Sequence, residues 1–400
     1  MRKTLSLLSL LLAPVLFYAQ GPFVNVTPTI RYQSIGTYDI ARLNKIITKE
    51  GPEYIGINLS IGEAKNAVKL YRVEYTSVIP EQGNRPTVAS GLLAIPATGA
   101  KVMPMVSYQH GTVYGKDWVP SFPEQNCENR LAIAQFAGQG YVLIGADYFG
   151  LGTSKEKDSY IVTDCQVQAS YDMYQAALVI LAKEGITVSD FFLTGWSQGG
   201  VISMAYLEKL ESYRIKVKAV GTAAAQCDAY VMTNGFLQHP RAIDGPWVTT
   251  MFILTAFSFE EYYKIPGLAR GLFNDDQYEL AKRVYEHDPT LPYEKYPLDL
   301  KKLIRPEYWD PVYYRQSAYG QLALKVHPYR WMIETPVRMC YGDVDECLTI
   351  GLARLPSEFQ KATGNKNVEA ISMGPDANHR ITYGRALPLW KSWFDEQIKK

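Results

Sequence analysis

Four short apolar runs stand out along the first half of the chain: "VMPMVSYQ" from residue 102, "YVLIGADY" from 141, "FFLTGW" from 191 and "VKAVGTAAA" from 217. They are nearly continuous in hydrophobicity rather than alternating. Runs of this length suit strands covered on both faces, as in a parallel sheet. Between them the spacing changes to that of helices. In "YDMYQAALVILAKEG", Met173, Ala176, Ala177, Ile180 and Leu181 share one face, and Gly185 stands where a helix ends. In "GGVISMAYLEKL", Val201, Met204, Leu207 and Leu210 recur at three-residue steps. Such alternation predicts an α/β sheet with right-handed crossovers. Ahead of it, "LYRVEYTS" alternates Tyr71, Val73 and Tyr75 with polar residues, and "VASGLLAIP" follows the turn-forming "EQGNRP". These two segments predict an antiparallel hairpin at the start of the sheet. Residues 37–50 carry Ile40, Leu43 and Ile47 at helical spacing, with Thr37 placed to cap a helix.

The alternation breaks near residue 228. From there to about 333 the sequence is aromatic, dotted with proline and helical in pattern, which is too long for a plain loop. Strand patterns resume at "PVRMCYG" and "VEAISMG". The terminal "ALPLWKSWFDEQIKK" puts Leu387, Trp390 and Phe394 on one helical face. The expected architecture is therefore α/β: a mostly parallel central sheet flanked by helices, split into 20–227 and 334–400 by a large helical cap at 228–333. The cap's Trp247, Phe252, Phe257, Phe259 and Phe273 either line a hydrophobic pocket or form the cap's own core.

Composition narrows the class. Hydrophobic residues make up 47% of the 400, enough for a sizeable core, and the formal charge of +1 lacks the basic footprint of a nucleic-acid binder. The first residues change the charge and the expected location. Arg2 and Lys3 precede an apolar stretch from Leu5 to Phe17, with Ala19 as a small residue for cleavage. This is the pattern of a secretory signal peptide at 1–19, and it predicts export to a periplasmic or extracellular space. Pro14 and the shortness of the run argue against a membrane span. Removing Arg2 and Lys3 takes the charge from +1 to −1. Export permits disulfides, and Cys127 with Cys165 is the expected pair among five cysteines. No cysteine or histidine cluster predicts a metal, and no cofactor is expected.

One short stretch carries the chemistry. "GWSQGG" places Ser197 between Gly195 and Gly199, at the junction of a buried strand and a helix. Alone, G-x-S-x-G marks no more than a glycine turn; on a strand-to-helix turn it is a nucleophile elbow. A serine hydroxyl needs a base, and the base needs an acid to orient it. His379, in "GPDANHRITYG" after the last predicted strand, is the candidate base on a loop at the open edge of the sheet; the other four histidines are His110, His239, His287 and His327. "YGDVDECL" offers the acid: Asp345, three residues after Gly342, with Asp343 as the alternative. Donors for a developing oxyanion are the N–H of Gln198 and that of Thr112 or Gly111 in "SYQHGTVYG". Trp196, His110 and Tyr148 are candidate substrate-binding residues, although a histidine in the position of His110 is usually a structural support of its loop. "ADYFGLGTS" is a tight glycine turn and lacks the later acidic residue of a dinucleotide-binding fingerprint.

Together, "SGLLAIP", "SYQHGT", "ADYFGLGTS", "GWSQGG", "YGDVDE" and the late "NH", in that order from residue 88 to 380, resemble the α/β-hydrolase superfamily, and within it the secretory lipase/esterase family. The resemblance implies hydrolysis of carboxylic esters by Ser197, Asp345 and His379, with a small-molecule or lipid ester as the partner and a cap over the acyl pocket. Trp196 departs from the family, where tyrosine is common, and the cap matches no motif. Two other readings compete: a serine peptidase on the same fold, and a binding protein that has kept the fold without catalysis.

Overall fold

The computed structural model describes residues 21–400, so the expected signal peptide lies outside the described residues. Ten strands form one sheet: β1 (Phe23–Thr27), β2 (Ile30–Tyr38), β3 (Val68–Ile79), β4 (Arg85–Pro96), β5 (Val102–Gln109), β6 (Val142–Ala146), β7 (Thr187–Trp196), β8 (Ala219–Ala223), β9 (Val337–Tyr341) and β10 (Val368–Ser372). Their order is β1-β2-β3-β4-β6-β5-β7-β8-β9-β10. Strands β1 to β4 pair antiparallel, β4 pairs antiparallel with β6, and every pairing from β6 to β10 is parallel. The four apolar runs are the strands β5 to β8 at the centre of the sheet. The β3–β4 hairpin is as expected, with Val68 opposite Pro96 and Ile79 opposite Arg85.

Both faces of the sheet are covered, which is why those runs do not alternate in polarity. Leu93, Met105, Ile144 and Leu193 point to one face, under the helices Thr163–Lys183 and Gln198–Ser212. Leu92, Val106, Leu143 and Phe192 point to the other, under Cys127–Phe136 and the terminal helix His379–Ile398. The terminal helix seats Trp390 against Gly221 of β8, where a Cβ would lie 2.4 Å from the indole.

Three expectations are corrected. Thr37 belongs to β2; Asp39 caps the helix Ile40–Lys45 instead, accepting the Arg42 N–H at 2.7 Å. Cys127 and Cys165 do not pair, because they start helices on opposite faces of the sheet; Cys127 lies beside the Glu50 carbonyl and Cys165 faces Glu81 at 2.7 Å. His379 is not in a loop but is the first residue of the terminal helix.

Between β8 and β9 the described residues form helices and no named strand, chiefly Ala229–Gln238, Val248–Tyr262 and Asp275–Tyr285. In Val248–Tyr262 every residue but Glu260 and Glu261 is buried, the pattern of a helix enclosed on all sides. Most of the aromatic side chains form the insertion's own core. Phe257 stacks on Tyr285 at 5.1 Å and meets Phe273 at 5.8 Å, and Phe252 stacks on Tyr319 at 6.0 Å.

Candidate active site

Ser197 joins β7 to the helix Gln198–Ser212 with φ 56° and ψ −123°, a conformation that a residue with a side chain rarely adopts. The neighbouring glycines permit it. A Cβ at Gly195 would lie 2.3 Å from the Gly199 carbonyl oxygen, and one at Gly199 would lie 1.9 Å from the Gln109 carbonyl oxygen at the end of β5. The Ser197 N–H donates to the Ala223 carbonyl at 2.9 Å, fastening the turn to the end of β8. The motif therefore has a steric cause: the turn presses against the two adjacent strand ends. The helix that follows directs its positive end at the hydroxyl.

Asp345 sits in the loop after β9, and His379 starts the last helix. The two segments touch at Gly342, where a Cβ would lie 2.1 Å from the Ala377 carbonyl oxygen. Asp345 Oδ1 accepts the N–H groups of Cys347 at 2.8 Å and Leu348 at 2.9 Å. His379 Nδ1 lies 2.9 Å from Asp345 Oδ2 and 3.1 Å from Oδ1. Asn378 caps the helix through Ile381, and the His379 N–H donates to Glu346 at 3.0 Å. Both side chains are buried. Burial pulls the imidazole toward its neutral form, but the Asp345 charge and hydrogen bond, with help from Glu346, outweigh it and raise its pKa above the ordinary value. Asp343 instead accepts from Ser372 at the edge of the sheet and does not reach the imidazole.

The hydroxyl of the candidate nucleophile makes no hydrogen bond with His379. Ser197 Oγ accepts from Gln226 Nε2 at 3.4 Å, and the same amide reaches Cys347 Sγ at 3.3 Å. His379 Nε2 has no hydrogen-bond partner among the described residues. Catalytic contacts of this kind often close only around a bound substrate. Gln226 was not foreseen; it follows β8 in "GTAAAQCD", which matches no short motif.

The candidate oxyanion donors separate. The Gly111 N–H is committed to Glu128 Oε1 at 2.7 Å, which removes it from the site. The N–H groups of Thr112 and Gln198 have no protein acceptor among the described residues. Glu128, also missed at the sequence level, braces the loop by accepting from Tyr108 at 2.6 Å as well; burial raises its pKa.

All three candidate substrate contacts are buried in packing roles instead. His110 and Tyr148 are fully buried and stack at 4.3 Å, with both His110 ring nitrogens near the carbonyls of Gly111 and Asp147. They support the loop and present nothing to a substrate. Trp196 is also buried, stacked on Tyr383 at 5.0 Å; its Nε1–H donates to the His379 carbonyl at 3.1 Å, so it positions the histidine backbone. In the glycine turn, a Cβ at Gly152 would lie 2.3 Å from Asp147 Oδ2, so the turn is tight around a buried carboxyl group.

The insertion reaches this site. Gly245 N–H donates to the Glu346 carbonyl at 2.9 Å, Arg241 donates to the Asp345 carbonyl at 3.1 Å, and the Trp247 ring lies 5.4 Å from that of His379. Among the described residues, no helix is long and apolar enough to cross a membrane.

No protein-family model and no curated protein matches the chain. Solved structures do. The chain is similar to a provisionally assigned hydrolase of Legionella pneumophila, with TM-score 0.79 and 21% identity over 94% of this chain and 98% of that one. It is similar to the rice cell-wall-degrading esterase LipA of Xanthomonas oryzae, with TM-score 0.79 and 17% identity over 95% and 100%. It is also similar to lipase A of Candida antarctica, with TM-score 0.58 and 17% identity over 86% and 77%. The chain has the α/β-hydrolase fold, a mixed sheet flanked by helices, as the resemblance implied.

Proposed function

We propose that the protein is a serine hydrolase of carboxylic esters, with Ser197 as nucleophile, His379 as general base and acid, and Asp345 as the group that orients and charges the imidazole. The observation that supports this reading is the buried His379–Asp345 pair, at 2.9 Å, together with the strained backbone of Ser197. Ser197 Oγ attacks the ester carbonyl carbon while His379 Nε2 takes its proton. The carbonyl oxygen gains negative charge facing the N–H groups of Gln198 and Thr112. The C–O bond then breaks, the alcohol leaves with the proton from His379, and an acyl-enzyme remains. Water deprotonated by His379 repeats the sequence and releases the acid.

Export through the N-terminal apolar segment belongs to the same reading; secretion assays of the full chain check it. The catalytic assignment is tested with Ser197→Ala. Turnover of p-nitrophenyl esters is expected to fall at least ~10⁴-fold, and the covalent adduct with a fluorophosphonate, seen by mass spectrometry in the parent, is expected to vanish. Ester turnover undiminished in the folded variant would overturn the assignment.

A further inference from the structure

A largely enclosed cavity lies between the elbow helix and the helical insertion, lined by residues one contact away from the nucleophile. Three of its lining residues touch the catalytic apparatus. Gln226 donates to Ser197 Oγ at 3.4 Å. The Tyr160 hydroxyl is 3.0 Å from Thr112 Oγ1, on the residue whose N–H is offered to an oxyanion. Met251 Sδ lies 3.7 Å from the sulfur of Cys347, two residues beyond Asp345. Val201, one turn along the elbow helix from Ser197, completes the near side.

Within the insertion the wall includes Thr255, Phe259, Tyr319 and Val326. It is braced from behind. Tyr319 is hydrogen-bonded to Thr255 at 2.8 Å, packs against Phe259 at 6.0 Å and stacks on Phe252 at 6.0 Å. No single rotamer change removes such a wall, because each ring is held by another. The hydroxyls of Tyr160, Thr255 and Tyr319 already have partners, so what they present to the cavity is mainly carbon. An apolar, largely enclosed space joined to an attacking hydroxyl through Gln226 suits the acyl half of an ester, which carries no polar group beyond its carbonyl.

Size decides which acyl group. The cavity volume is about 20 Å³. One water molecule needs roughly 10–15 Å³ by that measure. A cavity of this size has room for a methyl or ethyl group. Resting on the nucleophile assignment above, we propose that this cavity is the acyl pocket and that it restricts the protein to short-chain esters, acetyl and propionyl, with Phe259 and Val326 setting the limit. A longer chain has to displace the braced wall.

The test compares p-nitrophenyl acetate, butyrate and octanoate on the parent, Phe259→Ala and Val326→Ala, with Ser197→Ala as the control. The parent is expected to favour acetate over octanoate in kcat/KM by about 100-fold or more. Either shortened wall residue is expected to raise the octanoate-to-acetate ratio at least ~10-fold, and Val326→Ala serves if Phe259→Ala does not fold. Serine-dependent turnover that is equal or faster on octanoate would overturn the short-chain limit and leave the hydrolase reading intact. A preference for acetate that neither variant changes would overturn the assignment of this cavity as its cause. Absence of both serine-dependent turnover and a fluorophosphonate adduct would overturn the hydrolase reading, and this inference with it.

Discussion

At the residue scale, the proposed chemistry turns on His379. Its folded-state pKa is raised, so the neutral base is populated only above the ordinary imidazole value of ~6.5. Ester turnover is therefore expected to rise with pH through a single ionisation lying above that value, read from the pH profile of kcat/KM. The linked stability runs the other way. The charged imidazole paired with Asp345 favours the folded state fully below ~6.5, and that contribution fades as pH rises through the raised folded value. Asp345→Asn removes the charge that lifts the pKa and offers an amide where Nδ1–H needs an acceptor. The acidic limb of the profile should move to lower pH and kcat should fall by about 10³–10⁴-fold. A profile left in place by Asp345→Asn would show that the shift has another source.

At the scale of elements, the decisive feature is how tightly the elbow is wedged between strand ends. A methyl group at Gly199 would have to share space with the Gln109 backbone, which is fixed in the sheet by β7. Gly199→Ala is expected to lower stability by more than the ~1–3 kcal/mol of ordinary overpacking, because backbone rather than a flexible side chain must yield. Urea denaturation measures it, and a change under ~0.5 kcal/mol, the range of an unconstrained surface site, would contradict the steric account. The same wedge explains why the motif is readable in sequence at all: its spacing is dictated by contacts one turn away.

At the scale of the whole molecule, the helical insertion and the sheet are joined by buried polar contacts as well as by apolar packing. His287 Nε2 lies 3.0 Å from Asp158 Oδ2, and both residues are buried. The Asp158 carbonyl accepts from Ser258 at 2.7 Å and Tyr285 at 2.9 Å, and the Lys157 carbonyl accepts from Tyr262 at 2.7 Å. The loop after β6 is thus gripped by two helices of the insertion. His287→Ala leaves the Asp158 carboxyl without a partner in an interior site, and a loss of about 3–5 kcal/mol is expected. A double-mutant cycle with Asp158→Ala separates the pair from its surroundings; a coupling near zero would mean that this side-chain pair does not help to hold the insertion in place.

The sequence by itself determined the parts whose cause is local. Strands β5 to β8 were legible because burial on both faces leaves an unbroken apolar run. The β3–β4 hairpin was legible because its turn residues and alternation agree. Ser197, Asp345 and His379 could be singled out because a glycine-flanked turn and strand-end loops leave marks within a few residues. β1 and β2 escaped because both are partly exposed, β1 at the edge of the sheet and β2 beside it, and neither alternates cleanly between apolar and polar residues. Only the tertiary structure decided what depends on residues distant in the chain. It committed the Gly111 N–H to Glu128, buried His110 and Tyr148 against each other, and put Cys127 and Cys165 on opposite faces of the sheet. It also brought Gln226 to Ser197 and lined the cavity with Phe259, Tyr319 and Val326. Hydrogen-bond partners and free volume are set by which segments pack together, and no periodicity along a single segment records them.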